Sequence, residues 1–428
     1  MNTVAFFTLG CKVNQYDSQA MLEQFLKAGY ETKNFHELAD VYVINSCVVT
    51  NTGEKKSLQA VRRAMKQNPQ ADVVLAGCLA QKDAEALLGR GLRLVIGNQR
   101  RGDIVSLLRE AVEQDTQIAA VDSVLKIPFE KLEIDDFDGH TRAVMKIQEG
   151  CDRYCAYCII PYVRGSIRSR EVSDIKNEAI RLAAAGYHEV VLTGIHLSSF
   201  GRDLHGQSLL DAIRAVDEVD GISRIRLGSL EPVVATDEFI QGLSDVKSLC
   251  PQFHLSLQSG NDRILQSMRR RYTAQQYLAA ARRLQSAFPD CSLTTDVIVG
   301  FPGETDDEFL DSLAFCREVG FAKIHVFPYS QRAGTPAADM TGQLPKVIKD
   351  ERAKELIALG KELSGEFRLK FLGKTAEVLF EEEDEAGASG YTPHYMEVYA
   401  KGAQSGEISK VRLDEIKEDR FVGTVLSK

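Results

Sequence analysis

Three cysteines follow directly after a strand-like run in the middle of this chain. The run Ala143 to Gln148 leads into Cys151, Cys155 and Cys158, which are spaced four and three residues apart in one short loop. Three thiolates in one loop suit a cubane iron–sulfur cluster in which the protein leaves one iron open to a further ligand. Because sites in α/β folds lie at the carboxyl ends of strands, the sequence predicts an α/β domain with a 4Fe-4S cluster there.

Two other uses of these cysteines are less consistent with the sequence. Structural zinc sites take four nitrogen or sulfur ligands, usually from paired knuckles, and no second Cys or His pair follows at the required spacing. Disulfides fit poorly because the number of cysteines, nine, is odd and nothing at the N-terminus resembles a signal peptide. We therefore expect reduced thiols and a cytoplasmic location.

Charge is the next constraint on function. The 428 residues carry a net charge of −9, which argues against a surface coated with basic residues for nonspecific nucleic-acid binding. No apolar run is long enough to span a membrane, so no membrane contact is expected. Residues 141–170 are locally basic, and we predict that Arg164, Arg168 and Arg170 contact phosphate groups near the cysteines. A solvated basic face explains the same charges.

The first hundred residues alternate between strand-like and helix-like runs, which predicts an open parallel sheet with helices on its faces. The predicted strands are Val4–Leu9, Val41–Asn45, Val73–Ala76 and Leu94–Ile96, and the predicted helices are Ser18–Gly29, Gly53–Gln67, Gln81–Gly89 and Arg101–Glu113. Cys11, Cys47 and Cys78 each follow directly after a predicted strand. A lone buried cysteine is usually a small apolar residue, but three at equivalent positions predict a second iron–sulfur cluster at one edge of the sheet.

A second alternating region follows an acidic segment. Residues 116–140, which include Glu133–Gly139, are predicted to be a linker between domains. Six strand-like runs then predict a partial (βα)6 barrel: Ala143–Glu149, Glu189–Gly194, Ser223–Ser229, Phe253–Gly260, Ser292–Gly300 and Lys323–Ser330. Residues at the ends of these runs are candidate site residues, although each alone also suits a turn or packing role: Thr193, Gly194, Glu231, Gln258, Asp296 and Gly300.

The end of the chain has a third pattern. Short strand-like runs at Thr375–Phe380, Met396–Ala400, Ile408–Val411 and Phe421–Val425 predict a small antiparallel barrel of the OB-like kind. Glu381–Glu385 and Gly387–Gly390 are interpreted as turns. The predicted organisation is therefore a sheet domain at 1–115, a linker at 116–140, a partial barrel at 141–365 and a small barrel at 366–428.

The spacing C-x3-C-x2-C from Cys151 to Cys158, with aromatic residues between the cysteines, resembles the signature of radical S-adenosylmethionine enzymes. The resemblance implies that the cofactor binds the open iron and is cleaved by reduction to a 5′-deoxyadenosyl radical. It also implies a set of cofactor contacts: Thr193 and Gly194 at the methionyl amino group, Glu231 and Gln258 on later strands, and Asp296 to Gly300 near the adenine.

The order of the three parts resembles the methylthiotransferase family over the whole chain. Leu9 to Ser18 is similar to the opening motif of the branch that acts on N6-threonylcarbamoyladenosine beside the tRNA anticodon. The branch that acts on isopentenyladenosine usually has Gln-Met where this chain has Lys12-Val13. A third branch modifies an aspartate of a ribosomal protein. The terminal barrel resembles the TRAM module, which implies tRNA binding.

This resemblance implies a radical route to an unactivated position, C2 of adenine, which acid–base chemistry cannot functionalise at neutral pH. S-adenosylmethionine would be both radical source and methyl donor, and the cluster at Cys11, Cys47 and Cys78 would deliver the sulfur. The implied partners are the tRNA anticodon loop and an electron donor such as a flavodoxin or ferredoxin, and the sulfur donor stays open. The alternatives are the same chemistry on isopentenyladenosine or a protein aspartate, and a noncatalytic iron–sulfur RNA-binding protein.

Overall fold

The computed structural model describes residues 2–125, 127–135, 137 and 141–427. The N-terminal part contains six strands and four α-helices: β1 (Thr3–Thr8), α1 (Lys12–Lys27), β2 (Glu31–Lys33), β3 (Val41–Ser46), α2 (Asn51–Gln67), β4 (Asp72–Gly77), α3 (Cys78–Leu88), β5 (Leu94–Ile96), α4 (Ile104–Glu113) and β6 (Ile118–Ala120). The strands form one sheet in the order β2-β1-β3-β4-β5-β6, and every neighbouring pair is parallel. The predicted open parallel sheet is therefore confirmed.

The burial of this sheet explains its continuous apolar strands. All six residues of β3 are buried, as expected for a central parallel strand with helices on both faces. α1 and α4 cover one face, and α2 and α3 cover the other. α1 begins at Lys12 rather than at the predicted Ser18, with Cys11 as its N-cap. The first cysteine of the sheet therefore lies at the point where strand gives way to helix.

Part of the predicted linker belongs to folded structure. β6 lies at 118–120 and pairs with β5, so the N-terminal sheet extends past the predicted boundary at 115. Leu132, Ile134 and Phe137 are buried in the core of the middle part. These apolar side chains alternate with acidic residues and are buried. The acidic charge of the whole segment led to the prediction of a linker and did not reveal the buried positions. Asp136, Asp138 and Gly139 of the predicted linker lie outside the described residues.

The middle part contains seven strands and eight helices: β7 (Arg142–Glu149), α5 (Ile160–Arg164), β8 (Arg168–Ser169), α6 (Val172–Ala184), β9 (Glu189–Gly194), α7 (Leu209–Asp217), β10 (Arg224–Leu227), α8 (Asp237–Ser244), β11 (Gln252–His254), α9 (Asp262–Ser267), α10 (Ala274–Ala287), β12 (Ser292–Val299), α11 (Asp306–Val319), β13 (Lys323–Pro328) and α12 (Lys346–Leu369). The six predicted strands are present and parallel. They form two sheets, β10-β9-β7-β8 and β11-β12-β13, which isolated parallel bridges join. β8 is a short antiparallel addition at the edge.

Several helices of this partial barrel begin at signals that can be read in the sequence. α7, α10 and α11 each start with a capping box, in which Ser208, Thr273 and Thr305 accept a hydrogen bond from the backbone three residues later. These local starts fix where each strand-to-helix loop ends. The loops at the carboxyl ends of the strands therefore form one rim, which includes the loop of Cys151 after β7.

α12 joins the middle part to the last part. It has 24 residues and buries Leu356, Leu359, Leu363 and Phe367 along one face. The predicted boundary at 365 falls inside this helix, so the helix belongs to both cores. Within the described residues, no helix is both long enough and apolar enough to cross a membrane.

The C-terminal part is a closed barrel of five strands: β14 (Thr375–Glu383), β15 (Gly387–Tyr391), β16 (Glu397–Lys401), β17 (Ile408–Lys417) and β18 (Arg420–Ser427). Four of its five strand pairs are antiparallel, and β16 pairs with β18 in parallel. The prediction of a turn at Gly387–Gly390 was wrong because these residues form β15. A Cβ on Gly390 would lie 2.1 Å from the carbonyl oxygen of Leu379, so glycine here allows two strands to approach closely.

This barrel packs against the amino ends of the first strands of the middle part. The guanidinium of Arg142, the first residue of β7, lies 5.1 Å from the ring centres of both Tyr391 and Tyr395 and pairs with Glu381. Arg226 of β10 lies 4.6 Å from the ring centre of Tyr395. The barrel therefore lies at the end of β7 opposite to the cysteine loop, about 25 Å away along an eight-residue strand.

Candidate active site

The loop of Cys151, Cys155 and Cys158, the central triad, is held from two sides. Gly150 has a positive φ of 72°, and a Cβ there would lie 1.8 Å from the carbonyl oxygen of Ser166. The Cys151 amide donates to the carbonyl of Gly165 at 2.9 Å, and the Ala156 amide donates to the carbonyl of Met268 at 2.9 Å. Backbone contacts thus fix the direction in which the loop leaves β7.

Burial shapes the chemistry of the central triad. It raises the pKa of the Cys151 and Cys158 thiols to about 12, and the neighbouring Cys155 adds to both shifts. Nη1 of Arg270 lies 3.3 Å from Sγ of Cys155, and Nη2 of the same residue lies 2.9 Å from a carboxylate oxygen of Glu231. Neutral thiols are therefore favoured without metal, and the guanidinium compensates the negative charge that thiolates bring when they bind iron.

Cys11, Cys47 and Cys78, the N-terminal triad, come from three neighbouring strands. They follow β1, β3 and β4, which are adjacent in the sheet. A Cβ on Gly10, which has a φ of 109°, would lie 3.2 Å from Sγ of Cys47. Burial raises the pKa of the Cys47 thiol, and the nearby Cys78 and Cys11 raise it further. The fold therefore brings together three thiols from separate strands.

Each triad supplies three thiols, which is the donor set of a 4Fe-4S cluster with one open iron. Across residues 2–125, 127–135, 137 and 141–427, no group of three or more His, Cys, Asp or Glu side chains converges so as to hold one metal ion. In a cubane each thiolate binds a different iron, so its ligands stand apart around the cluster. Three thiols with a guanidinium directed at one of the sulfurs occur in both triads. The residues present fit a 4Fe-4S cluster at each triad.

Arg164 lies between Cys78 of the N-terminal triad and Glu149, which ends the strand before the central triad. Its Nε lies 3.2 Å from Sγ of Cys78, and its Nη1 contacts both carboxylate oxygens of Glu149 at 3.0 and 3.1 Å. Nη1 also donates to Asp17 at 3.1 Å, and Nη2 donates to Oδ1 of Asn14 at 2.5 Å. Glu149 ends β7 two residues before Cys151, so Arg164 contacts the N-terminal triad directly and the central triad only through the strand that precedes it.

The ion pairs around Arg164 balance in charge. Lys146 pairs with Asp17 at 2.5 Å and with Glu149 at 3.4 Å. Arg101 pairs with Asp17, with Glu130 at 3.0 Å and with Glu149 at 3.7 Å. Three cations thus meet three carboxylates in a nearly water-free space, where an unpaired charge would be costly. This network binds the N-terminal sheet to β7.

The predicted phosphate contacts of Arg164, Arg168 and Arg170 were wrong. Their exposed fractions are 0%, 2% and 5%. Arg168 donates to the backbone carbonyls of Val124, Ser166 and Arg164, and Arg170 pairs with Glu178 at 2.9 Å. A guanidinium that is buried against protein acceptors cannot reach a phosphate. Local charge density identified the segment as basic but did not reveal that distant carboxylates neutralise it.

The structure brings some predicted cofactor residues to the central triad. Glu231, just after β10, pairs with Arg153 at 3.0 Å and with Arg270, and His196 lies 3.1 Å from the same carboxylate. Burial alone would raise the pKa of Glu231, but the hydrogen bond from His196 and the nearby arginines lower it to about 2. This carboxylate is therefore ionised beside the cysteine loop.

Thr193 and Gly194 end β9 beside the strand that carries the loop. A Cβ on Gly194 would lie 2.8 Å from Cβ of Gln148. The side-chain amide nitrogen of Gln148 donates to the backbone carbonyls of Glu149 and Gly150, both at 2.8 Å. The glycine therefore allows β9 to lie close to the base of the loop. Contact of this pair with a cofactor stays a prediction.

Gln258, Asp296 and Gly300 lie on the second sheet of the partial barrel. β11 ends at His254, so the predicted strand to Gly260 is shorter than expected, and Gln258, four residues later, has a φ of 71°. Asp296 lies in the middle of β12 and pairs with His254 at 3.2 Å. Gly300, with a φ of 70°, directly follows β12, and its amide donates to Glu304 at 2.6 Å. Their roles toward a cofactor stay predictions.

Sequence reasoning missed the cations that organise the site. Arg270 lies in a basic segment, 268–272, whose charges are ordinary at a helix end, and nothing in its spacing indicates Cys155 as a partner. Arg101, Asp17 and Lys146 are far apart in sequence and meet only in the folded protein. Cys250, Cys291 and Cys316 are free and buried, and we interpret them as structural.

Comparisons with known proteins agree with this arrangement. A profile of the Radical SAM superfamily matches residues 145–316, and one of Uncharacterized protein family UPF0004 matches residues 3–97. Among solved structures, the radical S-adenosylmethionine methyltransferase TsrM of Kitasatospora setae aligns with a TM-score of 0.59 at 14% identity, over 79% of this chain and 77% of that chain. At that identity the likeness shows a shared fold.

Curated relatives match nearly the whole chain. Threonylcarbamoyladenosine tRNA methylthiotransferase MtaB of Bacillus subtilis is 42% identical over 96% of this chain and 94% of its own length. The protein of the same name in Thermotoga maritima is 36% identical over 99% and 96%. The tRNA-2-methylthio-N(6)-dimethylallyladenosine synthase of Acetivibrio thermocellus is 32% identical over 98% and 90%. The chain therefore belongs to the radical S-adenosylmethionine tRNA methylthiotransferase family.

Proposed function

We propose that this protein converts N6-threonylcarbamoyladenosine beside the tRNA anticodon to its 2-methylthio derivative. Four relatives named for threonylcarbamoyladenosine are 36–42% identical to this chain. Four relatives named for the dimethylallyl analogue are 32–35% identical. The higher identity to the first group favours threonylcarbamoyladenosine as the substrate.

Two 4Fe-4S clusters and S-adenosylmethionine form part of this proposal. The central triad would hold the cluster that binds S-adenosylmethionine, and the N-terminal triad would hold the second. When bound, these groups supply the electron, the radical, the sulfur and the methyl group that substitution of an unactivated C–H bond requires. The cofactor would meet residues that lie on the barrel strands or in the loops directly after them: Thr193, Gly194, Glu231, Gln258, Asp296 and Gly300.

The chain's own residues would bind and orient the reactants. Arg270 contacts both Glu231 and Cys155, so an ionised carboxylate stays next to the central triad. Arg164 fixes the N-terminal triad relative to β7. Because C2 of adenine is inaccessible in a stacked loop, the target base has to leave the anticodon-loop stack. The partners would be cytoplasmic tRNA and a flavodoxin or ferredoxin as electron donor.

One observation carries the proposal: a chain with two cysteine triads is 42% identical to a threonylcarbamoyladenosine tRNA methylthiotransferase over almost its full length, and Arg164 lies between Cys78 and the strand that precedes the second triad. The test is nucleoside mass spectrometry of total tRNA from a strain that lacks this gene and from its parent. We expect the methylthio form of threonylcarbamoyladenosine to disappear and its precursor to accumulate.

Other outcomes of this test would replace the proposal. Loss of the methylthio isopentenyl nucleoside would assign the second candidate substrate, which the relatives at 32–35% identity bring into consideration. An unchanged tRNA profile would redirect the search to a ribosomal-protein aspartate. Absence of S-adenosylmethionine cleavage by the reduced, reconstituted protein would favour a noncatalytic iron–sulfur RNA-binding protein.

A further inference from the structure

The fold leaves open which surface meets the RNA. Arg164, Arg168 and Arg170 are buried, and the C-terminal barrel lies at the opposite end of β7. We propose that the exposed face of α2 binds the phosphate backbone of tRNA next to the cysteine edge. This inference rests on the proposed function, since it locates the surface that would hold its substrate.

α2 carries an unusual concentration of positive charge. It has five basic residues and one acidic residue, Glu54, although the whole chain has a net charge of −9. Its buried residues are Ser57, Ala60, Val61 and Ala64, which face the sheet. The exposed face, which we call the α2 basic face, carries all five cations: Lys55, Lys56, Arg62, Arg63 and Lys66.

The helical period places three of these cations in one stripe. Lys55, Arg62 and Lys66 are seven and four residues apart and therefore point in nearly the same direction, and Lys56 and Arg63 form a second row about 90° round the helix on one side. From Lys55 to Lys66 the stripe is about 16 Å long. A row of cations of this length matches the repeated negative charge of a nucleic-acid backbone.

No carboxylate of the described chain neutralises the α2 basic face. None of its five cations forms an ion pair with another described residue, whereas other cations near α2 are paired. Glu54, the one acidic residue of the helix, forms ion pairs with Arg332 at 2.8 Å and with Lys82 at 3.6 Å. Like charges four residues apart repel, so these cations do not stabilise the helix itself. The α2 basic face would instead attract a polyanion.

The position of α2 connects this face to the site. The helix begins four residues after Cys47, and its N-cap Thr50 accepts a hydrogen bond from the Gly53 amide at 3.0 Å. Arg332, in the loop after β13, donates to Asn51 at 2.5 Å and so fastens the start of the helix to the partial barrel. RNA on this face would therefore lie close to Cys47 of the N-terminal triad.

The α2 basic face is tested with a triple variant and a matched control. Lys55→Gln/Arg62→Gln/Lys66→Gln removes three charges from the stripe and keeps helix propensity nearly constant. Arg214→Gln/Lys354→Gln/Lys361→Gln removes three charges from exposed positions on α7 and α12. Fluorescence anisotropy of the reconstituted full chain with tRNA that carries threonylcarbamoyladenosine gives Kd as a function of salt. Iron content and thermal unfolding check that both variants fold.

We expect the α2 variant to bind this tRNA roughly tenfold more weakly, with the salt dependence of log K reduced by about two to three. The control should remain within about twofold of the unaltered protein. Equal binding by the α2 variant, or an equal loss in the control, would overturn the inference. Unchanged tRNA binding with slower reduction by a flavodoxin would assign the face to an acidic protein instead. Failure of the unaltered protein to bind tRNA would overturn the proposed function itself.

Discussion

Nε of Arg164 lies 3.2 Å from Sγ of Cys78, and Nη1 of the same side chain lies 3.0 Å from a carboxylate oxygen of Glu149. One guanidinium therefore contacts a cysteine of the N-terminal triad and the residue that ends the strand of the central triad. Its exposed fraction is 0%, and burial lowers its pKa, but the nearby Cys78 and the carboxylates of Glu149 and Asp17 hold that pKa well above the usual range. The two halves of the proposed reaction centre thus share one fixed positive charge.

Replacing Arg164 should change the properties of the N-terminal cluster. Arg164→Met removes the donor to Cys78, so the reduced cluster loses a stabilising charge and its midpoint potential should fall by tens of millivolts. Redox titration followed by electron paramagnetic resonance measures this. Arg170→Met, which removes a buried arginine that pairs with Glu178 instead, is the control. An equal shift in both variants would mean that Arg164 acts only through general stability.

The same variant should unfold more easily. Asp17 and Glu149 would each lose a partner while staying buried, and breaking a buried ion pair costs roughly 3–5 kcal/mol. Lys146 and Arg101 remain, so we expect a loss of about 3 kcal/mol. Urea unfolding of the iron-free protein measures it. A loss below about 1 kcal/mol would show that the remaining cations suffice.

Each triad should account for half of the iron. Reconstituted protein should carry about eight irons, and Cys11→Ala/Cys47→Ala/Cys78→Ala should keep about four and still cleave S-adenosylmethionine. Cys151→Ala/Cys155→Ala/Cys158→Ala should also keep about four irons but lose cleavage. Cys250→Ala/Cys291→Ala/Cys316→Ala is the control, since these buried thiols lie outside both triads. Full iron content in either of the first two variants would refute a cluster at that triad.

Gly150 should be essential to the cysteine loop. Gly150→Ala combines a φ of 72° with a Cβ placed 1.8 Å from the carbonyl oxygen of Ser166, so the loop has to move. Gly303→Ala has a similar φ of 76° but no atom within 4 Å, so it should cost only the backbone strain of about 1 kcal/mol. Iron analysis should show loss of the central cluster only in Gly150→Ala. Equal iron in both variants would contradict this role.

Acid should loosen the C-terminal barrel through His394. Burial lowers the pKa of this side chain to about 4; Asp290 opposes the shift, while Arg226 and Lys374 add to it. Its ring lies 4.8 Å from that of Phe371, which follows α12. Below an unfolded pKa of about 6.5 the unfolded chain binds a proton that the folded chain does not, so stability falls as pH drops toward about 4.

Between about pH 7 and pH 5 the expected loss is about 2 kcal/mol. Urea unfolding of the protein at both pH values measures it, and His394→Gln should reduce the pH dependence by that amount. His205→Gln, which changes an exposed histidine of the middle part, serves as the control. If His394→Gln and the unaltered protein respond alike to pH, burial of His394 does not set this dependence.

Much of the architecture could be predicted from the sequence because it is encoded locally. The alternation of apolar strands and helix-like runs predicted the parallel sheet of the N-terminal part and the six parallel strands of the middle part. β15 was missed because Gly387 and Gly390 resemble a turn, although in the barrel they allow strands to approach closely.

The sequence by itself predicts the six cysteines of the two triads as cluster ligands, from their spacing and their places after strands. Only the tertiary structure decided the electrostatics around them. Arg164 was predicted to be a phosphate ligand, yet it is buried between Asp17 and Glu149, which lie 147 and 15 residues away along the chain. Whether a charge meets solvent or a carboxylate depends on long-range packing, and no local pattern of residues encodes that.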